Sequence, residues 1–162
     1  MGGMVLVREV DSREWETLRD VRLAALREAP YAFASTYARE APFTEEQWRG
    51  RLSARSVTFF GCAGEAAEPA GLAGVFVEDG AAEVVSMWVR PGARGHGVGA
   101  ALVDAAAGWA KARGHDTLYL WVTETNAPAR VLYERCGFTP TGERQPLPSD
   151  PSLSEIQMRR AL

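Results

Sequence analysis

Apolar positions along the chain switch repeatedly between a spacing near two and a spacing near 3.6, and the switches divide it into short elements. Val5 to Val10 alternates weakly and predicts a first strand. Asp11-Ser12 offers an N-cap, and Glu14 and Glu16 put acid into the turn that follows. Trp15, Leu18, Leu23 and Leu26 then recur at helical spacing, so a helix is predicted to Arg27, stopped by Pro30. Tyr31 to Tyr37 is aromatic and irregular. Thr44, with Gln47 three residues on, is a capping-box pattern opening a short helix through Trp48 to Leu52.

Strand signals follow at Val57 to Cys62, Leu72 to Val77 and Ala82 to Val89. Asp79-Gly80 between the last two marks a hairpin, and the three are predicted to form an antiparallel meander. Gly64 to Pro69 reads as a loop. After Pro91 the period changes: Val98, Leu102, Ala106, Trp109 and Ala110 predict a helix to Arg113, closed by Gly114. Thr117 to Val122 is β-branched and aromatic, hence a strand. Asn126-Ala127-Pro128 opens a further helix that carries Leu132, Tyr133 and Cys136 and ends at Gly137. Phe138 to Thr141 and Glu155 to Arg160 are predicted closing strands, with a proline-rich loop from Pro146 to Pro151 between them. There is no internal repeat and no linker, so one domain over 1–162 is expected.

Composition narrows the function classes. Of 162 residues, 46% are apolar and 24% charged, which suits a globular domain. A net charge of −3 gives no basic footprint for nucleic acid. No apolar run reaches the roughly 18 residues of a membrane span. The start has no basic, long-apolar signal pattern, so a cytoplasmic protein is expected. Cys62 and Cys136 lack metal-ligand spacing, and with only His96 and His115 no metal site is expected.

The glycines from Gly92 to Gly99 join a strand to a helix. Glycine lets a backbone approach a ligand closely, and a helix N-terminus offers unpaired N–H groups and partial positive charge. Together they suit a phosphate or pyrophosphate, with Arg94 at the lip as a further donor. Gly95-x-Gly97-x-x-Ala100 also matches a dinucleotide loop, but a meander precedes it and no acidic residue ends the next strand. A P-loop is excluded because no Lys-Ser/Thr pair follows. A ligand-free glycine turn is the plain alternative.

Three features combine in order: Val89-x-Pro91; Arg94, Gly97 and Gly99; and Asn126-x-x-Ala129-x-x-x-Tyr133-x-x-x-Gly137-Phe138. In these the chain resembles the GNAT superfamily of acetyl-CoA-dependent N-acetyltransferases, most closely over Gly71 to Thr141. Arg22-Leu23-x-Ala25-Leu26 and Pro30-Tyr31-Ala32-Phe33 look like a common bacterial branch of it. The resemblance implies an α+β fold with a mixed, mostly antiparallel central sheet flanked by helices, and a cofactor loop between the fourth strand and the following helix. It implies that backbone groups of Met87, Trp88 and Val89 face the pantetheine arm and that one N–H meets the acetyl carbonyl. It also implies that Gly95, His96, Gly97, Val98, Gly99 and Ala100 hold the pyrophosphate with Arg94, and that Asn126 and Tyr133 serve the cofactor from one helix face.

The implied reaction carries acetyl to a primary amine of a small molecule or peptide. An amine of pKa near 10.4 is neutral in only about one molecule in 2,500 at pH 7, so a proton must be accepted. Tyr133 is the candidate donor to the departing thiolate, and Glu83 the candidate base. At strand period two, Glu83, Val85, Met87 and Val89 share a face unless a bulge intervenes. Glu124 is the other carboxylate in range, and a water chain with no dedicated base also meets the need. Tyr31, Phe33, Tyr37 and Trp48 lie where an acceptor pocket is expected. Expected partners are the amine and at most a second copy in a homodimer. A non-catalytic acyl-CoA sensor on the same fold is the alternative, because a fold does not fix a function.

Overall fold

The structure, a computed structural model, describes residues 4–64 and 68–162. Seven strands form one sheet in the order β1-β2-β3-β4-β5-β7-β6. Strands β1 (Val5–Glu9), β2 (Ser56–Ala63), β3 (Gly71–Glu78) and β4 (Ala81–Val89) make an antiparallel meander. Strand β5 (Thr117–Thr123) runs parallel to β4, and β7 (Asp150–Ala161) lies antiparallel between β5 and β6 (Thr139–Leu147). The sheet is thus mixed and mostly antiparallel, as the resemblance implies.

Both faces are covered, which is why β2 and β3 read as nearly continuous apolar runs. On one face lie α1 (Trp15–Glu28), α2 (Tyr37–Glu40) and α3 (Glu45–Gly50); Leu26 of α1, Trp48 of α3 and Phe33 from the segment before α2 are buried there with Phe60, Leu72 and Trp88. On the other, α4 (Val98–Ala112) and α5 (Ala127–Arg135) pack Leu102, Ala106 and Tyr133 against Phe59, Val84 and Leu120. Phe59 and Phe60 go to opposite cores, as strand alternation requires.

Two expectations change. The stretch from Pro146 to Pro151 is not a loop: it is the tip of the β6–β7 hairpin, with Leu147 paired to Asp150. Strand β6 is the outer strand of the sheet, where a proline costs no ladder bond, so Pro140 and Pro146 are tolerated. The irregular segment after Pro30 contains a turn of 3₁₀ helix (Pro30–Ala32) and the short α2, capped by Thr36. The loop predicted over 64–69 falls partly on residues 65–67, which lie outside the described residues.

Candidate active site

Strands β4 and β5 are joined by three parallel rungs, Ala82–Leu118, Glu83–Tyr119 and Val84–Leu120. Strand β4 continues to Val89 and β5 to Thr123, so the two separate beyond Val84 and leave a wedge in the sheet. Backbone groups that line such a wedge lack a strand partner and must be satisfied by water or a ligand.

A bulge decides which groups those are. Gly74 pairs with Val85 and Leu72 with Trp88, so Ser86 and Met87 together face Ala73. Ser86 takes φ +62°, in the left-handed region. The Arg90 N–H bonds the Ala70 carbonyl at 2.7 Å, which keeps positions 88 and 90 in the β3 ladder. By alternation the peptide groups of Met87 and Val89 turn into the wedge. Without the extra residue, that of Trp88 would turn there instead. The bulge also corrects the expected face. Met87 and Val89 pack with Val84 toward α4, whereas Trp88 faces α1 and donates its indole N–H to Glu28 at 2.9 Å. Glu83 points into a cavity on the α1 side and does not share a face with Met87.

The left-handed conformation costs a residue other than glycine about 1–2 kcal/mol. At Ser86 a hydrogen bond offsets that cost: Arg22 Nη1 on α1 donates to its hydroxyl at 3.2 Å. A bond to a charged group contributes about 1.5–3 kcal/mol, a gain of the same size as that cost.

The glycine loop leads from the wedge to α4. Gly95 and Gly97 have φ of +81° and +87°, which only glycine adopts without strain. The first bond of the helix runs from Ala101 N–H to the Gly97 carbonyl, so the N–H groups of Val98, Gly99 and Ala100 have no partner within the helix. Thr44 and Asn126 cap α3 and α5 with their side chains, but Gly97 gives α4 none. The open end of a 15-residue helix therefore presents donors and partial positive charge. Val98 buries its side chain in the core, while Gly95 and His96 are exposed. A Cβ on Gly99 would stand 2.9 Å from Leu132 Cδ2, so this glycine also lets α5 approach α4. Arg94 reaches the Val89 carbonyl at 2.9 Å and the Glu28 carboxylate at 3.0 Å, which fixes its charge at the lip.

Asn126 lies just outside α5 and accepts the Ala129 N–H at 3.5 Å, a long capping bond. Tyr133 sits inside the helix, 6% exposed, edge-on to Phe138. Burial, with a smaller effect of Cys136, pushes its phenol well above the ordinary range.

On the α1 side of the sheet lies a cavity of about 690 Å³, walled by Phe33, Glu83, Ser86, Trp121, Gln145 and Glu155 among others. Burial raises the pKa of Glu83, and the carboxylates of Glu155 and Glu78 raise it further. Burial raises that of Glu155 too, against a hydrogen bond from Gln145 at 2.6 Å. Among the described residues neither has a lysine or arginine partner, whereas buried Glu40 has two arginines. A buried carboxylate without a counter-charge is costly, and a cationic ligand would relieve it. Glu124 is committed elsewhere, to Arg144 at 2.8 Å. Of the four aromatics expected in an acceptor pocket, Phe33 lines the cavity. Trp48 is buried core, Tyr37 accepts from Arg27 at 2.6 Å, and Tyr31 is exposed. Glu155 and Ser86 had no distinguishing signal in the sequence. One lies in an ordinary alternating strand, and the other between Val85 and Met87 where no bulge is marked.

The sheet is thus wedged open between two parallel strands, with the uncapped N-terminus of a helix beside the opening. The sequence profile of the acetyltransferase (GNAT) family matches residues 15–138, and the chain belongs to that family. It is similar to a mycothiol acetyltransferase of Beutenbergia cavernae, 50% identical over 58 residues, 36% of this chain and 20% of that protein. It is also similar to a streptothricin acetyltransferase of Streptomyces lavendulae, 50% identical over 50 residues, 31% of this chain and 26% of that protein. These matches thus span about a quarter or less of the relatives' lengths. In fold it is similar to a GNAT-family acetyltransferase of Streptococcus pneumoniae, with TM-score 0.78 and 18% identity, covering 98% of this chain and 99% of the other.

Proposed function

We propose that this family member transfers acetyl from acetyl-CoA directly to a primary amine of a small molecule or peptide that binds as its ammonium ion. The observation that carries the reading is the wedge itself. The bulge turns the Met87 and Val89 peptide groups into it, and it adjoins a cavity with two carboxylates that have no lysine or arginine partner among the described residues. The residues present fit the substrate: N–H groups from Gly95 to Ala100 for the pyrophosphate, and the wedge for the pantetheine amides.

In this reading Glu83, with Glu155 beside it, binds the ammonium and takes one proton from it, directly or through water. The freed nitrogen attacks the thioester carbon. The oxyanion that develops is met by the N–H of Met87 or Val89, donors already fixed by the strand. The carbon–sulfur bond breaks, and the Tyr133 hydroxyl protonates the leaving thiolate. The nitrogen's second surplus proton returns to the phenolate through water. The net result is one amide, one CoA thiol and one proton released. Much of the acceleration is proximity, since both reactants are held on one rigid sheet.

The test is turnover of acetyl-CoA with a panel of primary amines. CoA thiol is expected to appear in step with acetylated amine. Tight acetyl-CoA binding with no thiol released on any amine would make the chain a sensor and reject the reading.

A further inference from the structure

Arg22, in the Arg22-Leu23-x-Ala25-Leu26 stretch of α1, is buried against the sheet with all three nitrogens engaged. Nε and Nη2 each donate to an oxygen of Glu40 at 3.0 Å, and Nη1 donates to Ser86 Oγ at 3.2 Å. Glu40 is fully buried and takes a second guanidinium, Arg51 Nη2, at 2.8 Å. The planar fork on Glu40 fixes where the remaining arm points, and it points at the one residue of β4 with positive φ.

The strand register requires one extra residue between Val85 and Trp88, but does not decide whether Ser86 or Met87 makes the left-handed turn. Trp88 faces α1 in both cases, while Met87 in its present direction packs toward α4 beside Gly99. Moving the turn to Met87 would rotate the peptide planes on either side of it and swing the Met87 N–H out of its present direction. At Ser86 itself, the side-chain hydrogen bond that accompanies the turn is the one from Arg22.

We propose that Arg22, clamped by Glu40, is a positioning residue for acetyl transfer: through Ser86 it fixes the β4 bulge and so aims the Met87 peptide group into the wedge. This rests on the acetyltransferase reading above. Arg22 touches no reacting atom. It acts on the direction of a donor whose strength as an oxyanion partner depends on alignment. It also ties that donor to α2 and to Arg51 beyond α3, so the acceptor-side helices and the acyl-side strand share one hydrogen-bonded unit.

Two substitutions at one position separate aiming from simple loss of a side chain. Ser86→Ala removes the acceptor, keeps the left-handed strain and leaves Arg22, Glu40 and Arg51 paired. Ser86→Gly removes the acceptor and the strain together, so the turn stays where it is without Arg22. Ser86→Ala should lower kcat by about 10- to 100-fold, with KM for acetyl-CoA changed by no more than about twofold. Ser86→Gly should recover most of that loss. Arg22→Lys keeps a cation beside Glu40 but cannot fork to Ser86, so it should resemble Ser86→Ala, and the two together should cost little more than either. The carbonyl stretch of bound ¹³C-acetyl-CoA gives a readout without turnover: it should move toward its free frequency in Ser86→Ala and back in Ser86→Gly. Equal kcat losses in the two Ser86 variants, or a carbonyl band the same in wild type and Ser86→Ala, would overturn the positioning role. A wild-type protein that does not bind acetyl-CoA would instead refute the functional reading on which the role depends.

Discussion

Tyr133 and Glu83 are perturbed in the same direction, and the consequence for each is opposite. Burial favours the neutral form of both, which keeps the phenol a proton donor and makes the carboxylate a better proton acceptor. A donor that never ionises at working pH suits protonation of a thiolate. Tyr133→Phe should therefore lower kcat, by roughly 10²–10⁴-fold for a general acid, with acetyl-CoA affinity nearly unchanged. Wild-type kcat under single-turnover conditions would remove Tyr133 from the reaction. With Glu83 as the proposed base, its raised pKa should place the acid limb of the kcat/KM profile above the ordinary carboxylate range. The negative charge of Glu155 contributes to that rise, so Glu155→Gln should favour ionised Glu83 and shift the limb to lower pH. A limb that stays in place would show that the two carboxylates do not act on one proton. The pairing was not readable from the chain, because Glu83 and Glu155 lie on strands 72 residues apart that meet only through the sheet order.

Among the elements, those with a local cause were legible and those fixed by a partner were not. The glycine loop, the uncapped start of α4 and the Thr44–Gln47 capping box follow from residue types at fixed offsets, and each is present. The bulge in β4 depends on the length of the segment paired opposite, and the β6–β7 hairpin on β6 being outermost, and neither is written into the local pattern. The Glu40 clamp is of the same kind: an acidic residue on a four-residue helix becomes the anchor for two arginines. Burial opposes ionisation of Glu40, but Arg22, then Ser35 and Arg51, hold its pKa down to about 2. Its folded value is thus depressed, so it contributes stability that is fully present above the unfolded value and is lost as pH falls toward 2. A shift from 4.5 to about 2 corresponds to about 3 kcal/mol. Acid unfolding of the wild type should lose this contribution over that window. Glu40→Gln should be less stable at pH 7 and flatter between pH 4.5 and 2. Parallel stability curves for the two proteins would show that the clamp does not hold the fold.

At the scale of the molecule, two half-sheets are joined by few bonds. The meander β1–β4 and the group β5-β7-β6 meet through the three rungs between Ala82 and Val84 and through the helices packed on either face. A ligand lying in the wedge would add bonds to Met87 and Val89 on one side, to the start of α4 at the end, and to α5 across the gap. It would thus hold together the halves that unfolding must separate. Binding to the folded state alone stabilises by about 2.7 kcal/mol when the ligand is present at a hundred times its Kd. For a chain of 162 residues that corresponds to a rise in Tm of roughly 5–10 °C. Acetyl-CoA should give this rise, and NADH, which shares a pyrophosphate but lacks the pantetheine arm that fits a wedge, should give little. The contrast follows from the geometry. A glycine loop and helix N-terminus would accept either pyrophosphate, whereas peptide groups fixed along a split sheet select an extended chain of amides. Differential scanning fluorimetry with both ligands measures the difference. Equal shifts would mean that the loop alone binds and the wedge plays no part in recognition.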